Sequence, residues 1–148
     1  MRIKEIIVSI ILMIVLLPFK SLAGEWLKMG TMDHCTYYIY SEIIDDPTDE
    51  YRYKAWYKTT YNTEEVRLQA KINNSLDQEP FESTQLWVFS DAWDKMGLKQ
   101  ATYYSSEGEA FYTEKYEYYF EMLNVIPESL GGEMRRCARA LYENPREN

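Results

Sequence analysis

The strongest intrinsic chemistry in this sequence belongs to its two cysteines and its single histidine. Cys35 directly follows His34, and an imidazole can activate a neighbouring thiol as a nucleophile. Activation requires a hydrogen bond between the two side chains, whereas adjacent residues of an extended chain point to opposite faces. The pair therefore does not predict Cys–His catalysis.

An acidic segment at residues 42–50, EIIDDPTDE, offers carboxylates of the kind that bind calcium. It lacks the alternating ligand spacing and the turn glycine of an EF-hand loop. Acidic residues are so frequent elsewhere that no pair stands out for acid–base hydrolysis. We therefore expect a solvated acidic loop, no metal or other cofactor, and no enzymatic activity.

The segment YRYKAWYKTTY, residues 51–61, alternates in the manner of a half-buried antiparallel strand. One face, expected in the core or at a self-association surface, carries Tyr51, Tyr53, Ala55, Tyr57 and Thr59. The other face carries a candidate binding patch that consists of Trp56, Arg52, Lys54 and Lys58. Tryptophan and arginine are enriched at protein interfaces. The alternative is a solvated face on which a lysine stem covers the tryptophan.

Residues 1–23 have the pattern of a signal peptide. A basic start, MRIKE, precedes an apolar run, and Ser21 and Ala23 supply the small residues of a cleavage site. The run is shorter than the roughly 20 apolar residues that a membrane helix needs. We expect cleavage before Gly24 and export to the periplasm, the cell surface or the extracellular space; an uncleaved anchor is the alternative.

The remaining residues, 24–148, predict one domain with a strong negative charge. The full chain carries a formal charge of -8, and cleavage removes three basic residues and one acidic residue, which gives -10. Such a field repels nucleic-acid phosphates and anionic lipids. We expect no nucleic-acid partner and no stable membrane span after cleavage.

Both cysteines lie in this exported part, where two thiols usually form a disulfide. A bond between Cys35 and Cys137 would close a loop of about 100 residues, which the chain-entropy estimate values at roughly 4.7 kcal/mol. We predict this disulfide, with two buried free thiols as the alternative.

Most other segments are typical of strands. Residues 26–30 and 36–40 predict a first strand or strand pair. Residues 85–93 place large apolar groups on both faces, which favours a central strand. Residues 98–105 and 109–114 predict a hairpin, because the glycine between them suits its turn.

Three remaining segments have sequence patterns that permit or favour a helix. Residues 64–76 fit both a strand and a helix, and residues 116–123 fit a strand or a helical turn. Pro127 and Ser129 favour the start of a C-terminal helix. Its predicted apolar stripe is Leu130, Met134, Cys137, Ala138 and Leu141. Two glycines in its first turn lower helix stability by about 1 kcal/mol each, so we expect an aromatic side chain packed over them.

Five segments occur in the order TYYIY, KAWYK, FSDAW, ATYYSSEGEA and VIPESLGGEM. Over roughly residues 25–141 they resemble the surface-adhesin protein E family of secreted bacterial proteins. The resemblance implies an antiparallel sheet of about six strands with one C-terminal helix, in an exported protein that adheres to host matrix and serum proteins. The family pattern has a cysteine after the Asp of the central strand, whereas Ala92 follows Asp91 here.

We therefore predict an α+β fold with a single antiparallel sheet of about six strands and one C-terminal helix packed on it. The predicted function is a secreted, non-enzymatic binding module of the cell envelope or surface that captures host or extracellular proteins. The alternative is a structural envelope protein that forms a homodimer without a host ligand.

Overall fold

The computed structural model describes residues 24–116, 123–124 and 128–145. The predicted signal peptide, Pro127 and most of the segment at residues 116–123 lie outside these ranges. Within the described ranges, no helix has the length and apolar character needed to span a membrane.

A single antiparallel sheet forms the framework, which confirms the predicted α+β fold. Its strands are β1 (Trp26–Met32), β2 (Cys35–Tyr40), β3 (Ile44–Asp45), β4 (Tyr53–Tyr61), β5 (Glu82–Phe89), β6 (Lys95–Tyr104), β7 (Ala110–Lys115) and β8 (Leu123–Asn124). The main path runs β1-β2-β4-β5-β6-β7, while β3 pairs with β4 and β8 pairs with β6. The strand predicted to be central is β5, which lies between β4 and β6.

Two helices accompany the sheet, α1 (Glu64–Asn73) and α2 (Leu130–Glu143). The ambiguous segment thus forms a helix over most of its length. Thr63 caps α1, since its side chain accepts a hydrogen bond from the backbone N–H of Val66. Ser129 caps α2 in the same way by accepting from Gly132, as the sequence predicted for a helix N-terminus.

Tight turns join the outer strands. Between β1 and β2 the turn residues Asp33 and His34 both have positive φ, 50° and 60°, and Met32 pairs with Cys35. Positive φ at both positions matches the twist of a two-residue hairpin. The hairpin predicted around Gly108 is confirmed, with φ of 80° at the glycine.

The C-terminal helix α2 covers one face of the sheet. The main core cluster combines side chains from β2, β4, β5, β6, α2 and the connection between β5 and β6: Ile39, Tyr53, Ala55, Tyr57, Phe89, Trp93, Met96, Met134 and Ala138. The predicted stripe of α2 packs here, because Leu130, Cys137 and Leu141 contact the same cluster. A smaller cluster after α1 joins Leu76 to Ala101 and Tyr103.

The hydroxyl of Tyr57 anchors α2 on the sheet. It is buried and donates a hydrogen bond of 2.8 Å to the backbone carbonyl of Met134. Burial raises the pKa of Tyr57 well above its usual value, so the phenol stays neutral. At the other end of the helix, the ring of Tyr142 lies 4.6 Å from that of Tyr53. The helix therefore runs along β4 from Tyr57 toward Tyr53.

The structure corrects the predicted disulfide, because Cys35 and Cys137 are both free. Cys35 pairs with Tyr61, four residues along β4 from the Tyr57 that anchors the helix. Four residues of strand span about 13 Å, and a disulfide needs Cα atoms closer than about 7 Å. Cys137 follows Met134 by nearly one helical turn, in the direction that leads away from Cys35.

The expectation of an aromatic side chain over the helix glycines is wrong at Gly131. A Cβ built on Gly131 would lie 3.0 Å from the sulfur of Met96. The missing side chain therefore lets a buried methionine of β6 approach the first turn of α2 closely. Met96 lies on the helix-covered face of β6, whereas the aromatic rings of the core gather around Tyr53 and Trp93.

Candidate binding site

The face of the sheet opposite the helices carries a group of half-buried side chains. We call this the aromatic face; it comprises Trp26, Tyr38, Trp56, Lys58 and Leu86. Pairing places them together, since Tyr38 lies opposite Lys58 and Trp56 lies opposite Leu86. In the part of the chain that the structure describes, α2 packs on the other face, and so does Leu76, which follows α1. The aromatic face is thus the open side of the sheet.

Lys58 occupies the middle of this face between two aromatic rings. Its ammonium nitrogen lies 5.1 Å from the ring centroid of Trp26 and 4.8 Å from that of Tyr38. Both distances fall within the range of cation–π attraction. Only 19% of the Lys58 side chain is exposed, and its nearest carboxylate, Glu82, lies 3.7 Å away. The sequence predicted Lys58 beside Trp56 but gave no sign of Trp26, because that contact depends on the pairing of β1, β2 and β4.

Lys54 belongs to the same face but is bound by the acidic segment. Its ammonium lies 2.7 Å from a carboxylate oxygen of Asp49 and 3.4 Å from one of Asp46. The hydrogen bond that the ammonium donates to Asp49 is the main reason that the pKa of Lys54 is raised. Residues 42–50 are therefore not the wholly solvated loop that the sequence predicted, because two of their carboxylates bind Lys54. This ammonium is not available as a free charge of the patch.

Arg52 lies apart from the patch to which the sequence assigned it. Its guanidinium makes two hydrogen bonds to the carboxylate of Asp45, which also accepts a bond of 3.0 Å from Tyr142. The guanidinium carbon is 5.2 Å from the ring centroid of Tyr53, a side chain of the covered core. Arg52 precedes the regular part of β4, so strict alternation did not extend to it. Of the four residues that the sequence assigned to the binding patch, Trp56 and Lys58 remain candidates for binding on the open face.

A groove of about 630 Å³ opens beside the aromatic face. It is bounded by Trp26 and Lys58 on the face, by Arg67 of α1, and by the turn that joins β6 to β7. The sequence analysis missed this groove, because residues 64–76 could not be assigned to a helix that brings Arg67 toward β5.

The thiols do not form an activated nucleophile. Burial raises the pKa of Cys35 and of Cys137, which lowers the thiolate fraction at neutral pH. Among the residues described by the structure, no cluster of three or more His, Cys, Asp or Glu side chains could hold a metal ion. The described side chains of this region provide aromatic surface, two cations and a groove rich in hydroxyl groups.

Comparison with protein-family models, curated proteins and solved structures finds no match to this chain. The motif resemblance to the surface-adhesin protein E family therefore stays a prediction from the sequence.

Proposed function

We propose that this protein is a secreted, non-enzymatic binding module of the cell envelope or surface that captures extracellular or host proteins through its aromatic face. One observation carries the proposal: α2 covers one face of the sheet, and the other face retains two partly exposed tryptophans around Lys58. The signal-peptide pattern supports export, and the motif resemblance supports adhesion.

Side-chain chemistry makes this face suitable for protein recognition. Interface energy concentrates in tryptophan, tyrosine and arginine, which combine large apolar area with a polar tip. Trp56 and Leu86 provide apolar surface, while the Lys58 ammonium is held in place by Trp26 and Tyr38. A cation that the fold already fixes loses little side-chain entropy when a partner binds. We expect the partner surface to present an apolar group beside a carboxylate.

A pull-down from serum and extracellular-matrix proteins tests the proposal. The bait is the purified full chain, compared with Trp56→Ala and with the control Ile72→Ala. Ile72 is 62% exposed on α1, so its truncation removes apolar surface from another part of the molecule. We expect the wild type and the control to enrich the same few proteins, and Trp56→Ala to lose them.

Two results would count against this function. Equal, weak recovery of all proteins by the three baits would show that the face makes no specific contact. A homodimer in light scattering that Trp56→Ala converts to a monomer, with no protein enriched, would assign the face to self-association. Circular dichroism of each variant shows whether the fold is retained.

A further inference from the structure

The groove beside the aromatic face has the composition of a polar ligand site. Its side chains include several groups that can both donate and accept hydrogen bonds: Thr60, Thr84, Tyr104, Ser105 and Ser106. Its volume of about 630 Å³ lies within the range of small-molecule sites. Hydroxyl groups on a ligand, which also donate and accept, are the natural complement of this lining.

Arg67 presents an incompletely bonded guanidinium to the groove. The group lies 4.4 Å from the centroid of the Phe81 ring, and its Nε atom is buried without a hydrogen-bond partner. Its remaining contacts are long: 3.5 Å from Nη1 to the carbonyl of Tyr61 and 3.9 Å from Nε to a carboxylate oxygen of Glu79. A guanidinium has five donors, and a buried donor left unpaired destabilises a protein. The geometry is that of a planar cation whose nearest carboxylate, that of Glu79, lies beyond hydrogen-bond distance.

Lys58 is the second cation of the groove, and it too lacks a close partner. Its ammonium is placed by two aromatic rings and is 3.7 Å from Glu82, beyond hydrogen-bond distance. The groove lining therefore contains two cations, Lys58 and Arg67, and one carboxylate, Glu82. The carboxylates that pair with them, Glu82 at 3.7 Å and Glu79 at 3.9 Å, are too distant for hydrogen bonds, so an anionic group between the two cations could make closer contacts.

We infer that this groove binds a carboxylated sugar. The carboxylate lies between Arg67 and Lys58, and the guanidinium offers it a charge-assisted, two-pronged hydrogen bond. The ring hydroxyls of the sugar bond to the serine and threonine side chains, and Trp26 and Tyr104 supply apolar surface for its C–H groups. The inference rests on the proposed function, since it names an acidic glycan on the captured partner as part of what the module recognises.

An acidic peptide fits the groove less well. The three strands at its base, β4, β5 and β6, are each hydrogen-bonded to a neighbour on both sides. No strand edge is thus available there to pair with a peptide backbone, which is the usual source of affinity for an extended chain. A sugar needs no such edge, because its hydroxyl groups reach side chains directly.

Titration calorimetry with the full chain tests the inference, with sialyllactose and trigalacturonate as carboxylated probes and lactose as the neutral control. We expect at least one carboxylated probe to bind with a Kd below about 1 mM, and lactose not to bind. Arg67→Gln and Lys58→Gln should each raise the Kd at least tenfold. Glu82→Gln should lower it, because it removes a carboxylate that competes with the probe for Lys58.

Lys71→Gln is the matched control, since it removes one positive charge from the same helix at a residue outside the groove. Failure of both carboxylated probes to bind the wild type would overturn the inference. So would binding that is weakened equally by Lys71→Gln and by Arg67→Gln. If Arg67→Gln alters the circular dichroism spectrum, the other two variants still test the inference. Lys58→Gln should raise the Kd for the carboxylated probe, and Glu82→Gln should lower it.

Failure here is distinguishable from failure of protein capture. Trp56 does not line the groove, so Trp56→Ala should weaken the pull-down while leaving the Kd for a carboxylated probe unchanged. Capture that depends on Trp56, together with probes that never bind, would retain the proposed function and remove the sugar site.

Discussion

Lys58 is the basic residue of the predicted patch that two aromatic rings hold in place. Of the basic residues predicted for the patch, Lys54 is bound to Asp46 and Asp49, and Arg52 is bound to Asp45. Lys58 instead lies between two rings, with its nearest carboxylate at 3.7 Å. Neutralisation of the other two cations concentrates the available positive charge at one point of the open face.

The state of the two thiols is a direct test at the residue scale. Because Cys35 and Cys137 lie at different positions along the sheet, we expect two free thiols per chain when the non-reduced protein is unfolded and titrated with a thiol reagent. In the native protein the reaction should be slow at neutral pH, since burial raises the pKa of both groups. A non-reduced peptide map in which Cys35 is linked to Cys137 would contradict the structure.

The pH dependence of stability should reflect Asp45 and Asp46. Hydrogen bonds from Arg52 and from Thr48, respectively, are the main reasons that the pKa of each carboxyl lies below its usual value of 3.8. Folding then favours the ionised form, so this stabilisation is present above pH 3.8 and is lost as the pH falls through the lower, folded-state pKa.

Urea unfolding between pH 6 and pH 2 measures this effect. We expect the double variant Asp45→Asn, Asp46→Asn to lose less of its unfolding free energy over the acid range than the wild type. Asp77→Asn, at an exposed residue, serves as the control and should follow the wild type. Parallel curves for the wild type and the double variant would show that these ion pairs do not contribute.

At the scale of elements, the hydroxyl of Tyr57 links α2 to the sheet. Tyr57→Phe keeps the ring in the core and removes the hydrogen bond to Met134, which should lower the free energy of unfolding by about 1 kcal/mol. Urea denaturation gives the value, with Tyr38→Phe as a control on the open face. Equal stability of the two variants would mean that the bond adds nothing to helix docking.

A substitution in the turn of the β1–β2 hairpin should increase stability. His34 is exposed and has a φ of 60°, a conformation that costs a non-glycine residue roughly 1 kcal/mol. His34→Gly should therefore raise the thermal midpoint, since Asp-Gly is a preferred sequence for this turn. A lower midpoint would show that the imidazole makes a stabilising contact that outweighs the backbone strain.

Local sequence patterns predicted most of the strands and helices. They missed the features that depend on which strands pair with each other. Strict alternation gave the two faces of β4, and the glycine at residue 108 gave the β6–β7 hairpin, because both signals depend on neighbouring residues alone. The segment that forms α1 fits both the period of a strand and that of a helix. In the structure it is a helix, and Thr63 caps its N-terminus. The separation of the cysteines and the contact of Trp26 with Lys58 follow from strand register, which one sequence does not reveal.

For the whole molecule, the central feature is the difference between the two faces of one sheet. The covered face holds the core and α2, so its aromatic residues stabilise the fold. The open face holds half-buried tryptophans that this core does not use. Exposed aromatic surface of this kind is a common mark of an interaction site. We therefore expect that mutations on the open face change binding and that mutations on the covered face change stability.

The most direct test is quantitative binding of one protein recovered in the pull-down to immobilised wild-type chain, Trp56→Ala, Trp26→Ala and Ile72→Ala. If the aromatic face is the binding surface, each tryptophan variant should raise the Kd at least tenfold while its urea midpoint stays nearly unchanged. The control Ile72→Ala should bind like the wild type. Equal Kd values for all four chains would contradict the assignment of the aromatic face as the binding surface.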